Sequence, residues 1–262
     1  MADQPIRFDD GAAYERMMGV WSRIAGEIFL DWLAPRPGLK WIDVGCGNGA
    51  FTELVIARNA PAEIKGVDPS DGQLAYARTR RGTEMAEFHK GDAMALPFPD
   101  TSFDVAIMAL VIFFVPDPAK GLAEMVRVVR PGGMVAAYAW DMLGGGFPFA
   151  PLQAEVRALG ITPPQPPSAA VSRMDALRDL WPALGLEAVE TREITVHRTF
   201  ADFDDFWGKS TAMGAIRQTL AELGPAEEEK FKQRVRARLP PDAMGRITYA
   251  SRANAVKGRV PL

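Results

Sequence analysis

Three aspartates and a glycine loop are the residues of this chain whose types and spacing can do chemistry. Asp43 leads into Gly45-Cys46-Gly47-Asn48-Gly49, and Asp68 and Asp92 follow at spacings of 25 and 24 residues, each at the end of an expected strand. Glycine lacks the Cβ that keeps a ligand off the backbone and tolerates positive φ, and a helix after such a loop offers unpaired N–H groups. Ionised aspartates accept hydrogen bonds from hydroxyl and amino groups. The set reads as a site for something nucleotide-like, with Asp68 on a ribose and with Asp92 and the Ala93 amide on an adenine edge. By itself the loop leaves two readings open, because Gly45-x-Gly47-x-x-Ala50 also satisfies the dinucleotide fingerprint.

For these carboxylates to meet, the strands they follow must lie side by side. Between residues 39 and 140 strand and helix patterns alternate, as a parallel sheet covered on both faces requires. Strands are expected at 39–44, 62–67, 87–90, 103–109 and 134–140. Helices are expected at 48–59 and at 70–81, the latter with Ser70 as N-cap. A third helix carries Leu122, Met125, Val126 and Val129 on one face and runs to Arg130, where Pro131-Gly132-Gly133 ends it. Upstream, Tyr14, Met17, Met18, Trp21, Ile24, Ile28 and Trp32 recur at helical spacing and predict a helix that lies against the sheet or closes over its ligand. Downstream, Gly144–Gly146 and Pro163–Pro167 read as flexible or extended connections. A helix at 172–184 stopped by Gly185, a strand at 188–196, a helical stretch at 200–239 and a last strand at 247–257 complete the pattern.

The chain resembles the class I S-adenosylmethionine-dependent methyltransferases, and more closely their type 11 small-molecule branch. The resemblance rests on Asp43-Val-Gly-Cys-Gly-Asn-Gly49, Val67-Asp-Pro-Ser70, Gly91-Asp-Ala93, Leu96-Pro-Phe98 through Phe103-Asp104, and Arg127-Val-Val-Arg-Pro-Gly-Gly133, in that order over residues 39–140. It implies an α/β fold: a Rossmann-like, seven-stranded, mostly parallel sheet with helices on both faces, an N-terminal lid helix and a helical insertion before the last strand. Residues 1–38 would form the lid, 39–140 the S-adenosylmethionine-binding core, and 141–262 the rest of the sheet with the insertion at about 200–242, all in one structural domain. The implied donor site has the methionine tail at Gly45, Cys46 and Gly47 behind Asp43, the ribose on Asp68 and Pro69, the adenine at Asp92, Ala93 and Met94, and the sulfonium side at backbone near Ala109. Tyr14 and Trp21 are expected to help cover it. Where many relatives carry histidines after the fourth strand this chain has Phe113 and Phe114, so no acid–base role transfers there.

Methyl transfer asks little of side chains, because a sulfonium is already a strong electrophile and the protein must mainly align a nucleophile in a dry site. Among possible bases His197 is the better placed, at the expected end of a strand before the insertion, and His89 on a short strand reads as solvent-facing or satisfied. Cys46 reads as a small packed residue. Trp140, Phe147, Phe149, Phe203, Phe206 and Trp207 are candidates for the wall of an apolar acceptor pocket. With 30 basic and 33 acidic residues, one cysteine and two histidines, nothing suggests a disulfide, a metal or a polyanionic partner. The basic run from Lys230 to Arg238 follows Glu227-Glu-Glu229 and reads as a solvated helix face rather than a nucleic-acid surface. The expectation is a cytoplasmic enzyme with a small-molecule acceptor and no membrane or nucleic-acid partner. The rivals are a donor-binding protein without transfer activity and a nicotinamide-dependent oxidoreductase.

Overall fold

In the parallel core, helices return the chain after the first, second and fourth strands, and the third strand reaches the fourth through a loop. The computed structural model describes residues 11–212 and 214–262, with the side chains of residues 11–14, 16, 17, 214 and 215 outside the description. Helix α1 (Gly11–Leu33) precedes β1 (Lys40–Val44), α2 (Ala50–Asn59), β2 (Glu63–Asp68), α3 (Asp71–Thr79), β3 (Glu87–Lys90), β4 (Phe103–Ala109), α4 (Pro118–Val128) and β5 (Val129–Trp140). Then come α5 (Ala150–Ala158), α6 (Met174–Ala183), β6 (Glu187–Phe200), α7 (Phe203–Thr211), α8 (Gly214–Glu222), α9 (Pro225–Ala237) and β7 (Ile247–Arg259). The strands make a seven-stranded sheet of order β3-β2-β1-β4-β5-β7-β6. All pairs are parallel except those of β7, which runs antiparallel to both neighbours. This is the α/β fold expected, with the helical insertion α7–α9 between β6 and β7.

The central strands are buried on both faces, as parallel strands under helices must be. Trp41, Ile42 and Val44 of β1 and Val105 to Met108 of β4 are at most 1% exposed. Ser70 caps α3 by accepting from the Gln73 amide at 3.3 Å, and Asp117 caps α4 by accepting from Lys120 at 3.0 Å. Helix α1 buries Met18, Trp21, Ala25, Phe29, Leu30 and Leu33, and the Phe29 ring lies 4.5 Å from that of Tyr138 on β5. The helix therefore lies against the sheet.

Several elements depart from the sequence pattern. The third helix of the core stops at Val128, and β5 takes over at Val129, so Pro131-Gly132-Gly133 lie inside the strand. Pairing with β4 slips there, between Phe103 and Val105, which accommodates a proline that has no amide to donate. Gly144–Gly146 is no loose connection: Asp141 accepts from the amides of Gly144 and Gly146, and Arg252 bonds both Asp141 Oδ2 and the Gly144 carbonyl. Strand β6 does not end near Val196 but runs to Phe200, paired throughout that stretch with β7, and the stretch after it breaks into three helices.

Helix α5 went unpredicted. It packs on α9 through Glu155, which is 2% exposed and accepts from Arg234 Nε and Arg238 Nε, each at 2.7 Å. Burial alone would raise its pKa, but the two guanidiniums outweigh that and hold the carboxyl below its ordinary range. The basic run of α9 is thus a paired face: Lys232 and Arg236 reach Asp204, and Lys230 reaches Glu227. Both partners of Glu155 are partly exposed, so Glu155→Ala is expected to cost about 1–2 kcal/mol in urea unfolding. An unchanged midpoint would mean that apolar packing alone holds α5 on α9.

Candidate functional site

Parallel register places the ends of β1, β2 and β4 together, because Asp43 pairs with Gly66 on one side and Ile107 on the other. The loop after Val44 turns sharply: Gly45, Gly47 and Gly49 have φ of +76°, +51° and +77°. At Gly45 a Cβ would press on both methyls of Val111, 2.7 Å from Cγ2, so the β1 loop and the loop leaving β4 touch backbone to side chain. Gly47 is different. A Cβ there would meet only Gln73 Oε1 within 4 Å, at 3.8 Å, which leaves an open face where a ligand can approach the backbone.

The loop's amides do not point at that face. Gly45 and Cys46 both donate to the Val67 carbonyl (2.7 and 3.0 Å), Gly47 donates to Asp68 Oδ2 (2.9 Å), Gly49 to the Cys46 carbonyl (2.9 Å) and Ala50 to Asn48 Oδ1 (3.2 Å). The expected nest of unpaired N–H groups is therefore not formed by these five residues. What stands behind the loop is negative. Asp43 is 2% exposed; its Oδ2 accepts from Thr52 Oγ1 at 2.6 Å and its Oδ1 has no partner. Burial pushes its carboxyl up to about 7, against the Thr52 hydrogen bond and with the nearby Asp68 charge adding to the rise. Asp68, 9% exposed, is also raised by burial, while the Ser70 and Gly47 amides that it accepts from pull the other way.

The remaining expected residues line the same sheet edge. The Asp68 carbonyl accepts from Gly91 (3.2 Å), joining the ends of β2 and β3. Asp92 is exposed and one of its oxygens accepts from Met94 (2.8 Å), which fixes the turn carrying half-buried Ala93 and Met94. Pro69 is exposed beside Ser70, and half-buried Ala109 ends β4 next to Leu110, a non-glycine residue at φ +62°. Cys46 is buried, with its thiol pushed well up by burial first and then by Asp43 and Asp68, so it is an inert packing residue.

Two expectations change. Trp21 is 1% exposed and packed against Tyr249 (5.9 Å between ring centroids) and Phe200 (6.4 Å), so in this conformation it offers a donor no surface. His197 does not end a strand; it is an exposed residue within β6, on the face opposite buried Val196 and Phe200. The Tyr14 side chain lies outside the described residues. Of the aromatic candidates, Trp140, Phe149, Phe203 and Phe206 are core, and Phe147 and Trp207 are half-buried.

Sequence reasoning missed what reaches the loop from afar. Thr52 was findable, on the buried side of α2 nine residues after Asp43. Glu15 was not: from α1 it accepts from Asn48 Nδ2 (3.1 Å) and from Arg80 Nη1 (3.0 Å), and Arg80 Nε also bonds Glu53 (2.6 Å). This network borders a polar cleft of about 360 Å³ lined by Glu15, Glu53, Tyr76, Thr79, Arg80 and Arg81, none of which belongs to the glycine loop. Among the described residues no cluster of His, Cys, Asp and Glu is arranged to hold a metal ion, and no helix is long and apolar enough to cross a membrane.

Residues 42–137 match a family model described as a methyltransferase domain. The demethylmenaquinone methyltransferase of Lysinibacillus sphaericus is 37% identical over 131 residues, 47% of this chain and 55% of that protein. The chain spans about half the length of the curated relatives it matches. Among solved structures, the YcgJ protein of Bacillus subtilis superposes with a TM-score of 0.60 at 19% identity, covering 91% of this chain and 98% of that one. The phosphoethanolamine N-methyltransferase 2 of Haemonchus contortus, solved with S-adenosyl-L-methionine, gives 0.59 at 18% identity, covering 96% of this chain and 57% of that one.

Proposed function

We propose that this chain, whose residues 42–137 match a methyltransferase-domain family, is a class I enzyme that moves a methyl group from S-adenosylmethionine to a small acceptor. The carrying observation is the direction of the loop's amides. A dinucleotide's pyrophosphate is met by free N–H groups of a glycine loop and helix start. Here the amides of Gly45, Cys46, Gly47, Gly49 and Ala50 serve protein acceptors, and the carboxylates of Asp43 and Asp68 lie behind them. Such a cradle repels phosphate and favours a ligand bearing positive charge. The unpartnered, buried Asp43 Oδ1 asks for the same thing.

Bound there, S-adenosylmethionine supplies a methyl group already activated on a sulfonium centre. In this reading Gly45, Cys46 and Gly47 bound its amino-acid tail, with Asp43 as the opposite charge. Asp68 takes the ribose hydroxyls with Pro69 beside it, while Asp92, Ala93 and Met94 face the adenine. Backbone at Ala109 closes the reactive side, where the strained Leu110 is held by the core around it. The chain's contribution is alignment and exclusion of water rather than proton transfer by a dedicated base. The name of the Lysinibacillus relative supports a small ring compound as acceptor.

The test is calorimetric titration with S-adenosylhomocysteine and, in parallel, NADH. We expect binding of the first alone, weakened about tenfold by Asp68→Asn, which removes the charge and leaves one oxygen to accept where Gly47 and Ser70 both donate. Binding of NADH alone, or of neither, overturns the reading.

A further inference from the structure

A second unusual charge lies on the same sheet, away from the glycine loop. Arg198, on β6, is half-buried, and among the described residues its guanidinium has no hydrogen-bond or ion-pair partner. It lies over two aromatic rings, 4.7 Å from the centroid of Phe200 and 5.7 Å from that of Trp21. The carboxylate within its electrostatic reach, Asp205, is already engaged by Lys209 Nζ at 2.7 Å and the Ala201 amide at 3.2 Å. Most guanidiniums among the described residues find a carboxylate; this one lies over rings with its donors uncommitted.

Its surroundings are polar as well. Arg198 pairs across the strands with Tyr249, and Val196 pairs with Ser251, so Arg198, Tyr249 and Ser251 share the sheet face that α1 covers. Ser251 is 2% exposed and its hydroxyl interacts with that of Tyr249; Trp140, on the same face and also 2% exposed, leaves its indole N–H unpaired. The Tyr249 hydroxyl also makes a long bond, 3.4 Å, to the Phe147 carbonyl. Buried polar groups are satisfied as a rule, and a half-buried cation costs more than a neutral group to leave without a counter-ion. Because β6 runs parallel to β5, this cluster lies toward the same sheet edge as Gly45 and Asp68.

We propose that Arg198, with Tyr249 and Ser251, is the anchor for a carboxylate on the methyl acceptor. The inference rests on the methyltransferase reading, and Arg198 lies outside the residues that match the methyltransferase-domain family, so it concerns what this chain adds to the shared core. A guanidinium fork matches a carboxylate with two parallel N–H donors, and the rings beneath it fix its plane and keep water from one face. The acceptor is then a small ring compound bearing an acidic group, anchored by that group while its nucleophile reaches the donor site. Anchoring of this kind raises the effective concentration of the reacting atom without any catalytic side chain.

The experiment is titration of the protein, saturated with S-adenosylhomocysteine, with 2-naphthoate and with its neutral analogue 2-naphthamide. The carboxylate is expected to bind about tenfold more tightly than the amide, and Arg198→Met is expected to abolish that preference while leaving the amide's affinity unchanged. Arg198→Lys, which keeps the charge and loses the fork, should retain part of it. Equal affinity of the two probes for the parent protein, no binding of either, or a preference that survives Arg198→Met overturns the proposal. Titration with S-adenosylhomocysteine alone separates the two readings. If 2-naphthoate binds through Arg198 and S-adenosylhomocysteine does not bind, the anion site stands and the methyl-donor assignment falls.

Discussion

Asp43→Asn is expected to make the protein more stable at pH 8 and, at the same time, to weaken S-adenosylhomocysteine binding about a hundredfold. The two effects have one cause. The Asp43 carboxyl, fully enclosed and beside Asp68, titrates at about 7 instead of near 4. Below about pH 4 the group is protonated in both folded and unfolded chains and does nothing. Between there and 7 the unfolded chain loses the proton while the folded chain keeps it, so stability falls as pH rises, and above 7 the full penalty is present. Three pKa units correspond to about 4 kcal/mol. The amide inherits the Thr52 hydrogen bond but leaves an N–H unpaired where Oδ1 had no partner, which returns part of the gain, so about 1–3 kcal/mol is expected.

Urea unfolding at pH 5 and pH 8 should therefore show the variant's advantage growing between the two, and a constant difference would contradict the assignment. Binding runs the other way. A ligand with a positive charge restores the counter-ion that folding withholds, so affinity in the parent protein should rise as pH rises through 7, and in Asp43→Asn it should be nearly flat. A site that gives up stability to hold an unpaired carboxylate is a site built for a cation.

How much of this was legible in the sequence depended on how local its causes are. The run from β1 through the glycine loop to Asp92 could be read directly, because apolar strands, glycines with positive φ and strand-ending aspartates each leave a local mark, and parallel pairing then brings them together. Ser70 was readable as a cap for the same reason. Helix α5 was hidden between glycine and proline clusters, and its central buried residue, Glu155, is charged and reads as surface until Arg234 and Arg238 arrive from α9. Strand β6 looked finished at Val196 because polar residues follow; pairing with β7 carries it on to Phe200. The Gly144–Gly146 turn read as loose because what closes it, Arg252, lies on the last strand.

The site shows the same division. The expected residues come together at one sheet edge, but the direction of the loop's amides was misread, since a glycine loop before a helix normally exposes them and here the Val67 carbonyl and Asp68 take them up. Glu15 and Arg198 have no sequence signal of their own. One is defined by what it reaches and the other by what it does not reach, and both properties exist only after folding.

Gly45→Ala is expected to cost at least about 3 kcal/mol and to abolish measurable S-adenosylhomocysteine binding. The position combines two demands that a methyl group cannot meet. Its φ of +76° costs an L-residue about 1–2 kcal/mol. The new Cβ would also lie well inside contact distance of both Val111 methyls, in a core where the neighbouring Ile112 is fully buried and cannot give way. Relief by pushing the loop away would break the bonds from Gly45 and Cys46 to the Val67 carbonyl and move Gly47, whose amide holds Asp68 in place. Stability and binding should therefore fall together. The double variant Gly45→Ala/Val111→Ala separates the terms: removing the Val111 methyls should return the steric part of the stability, leaving the backbone part, and should restore binding only as far as Gly47 and Asp68 return to their places. Full recovery of both would mean that the positive φ carries no cost, and no recovery would mean that Val111 is not what the loop packs against.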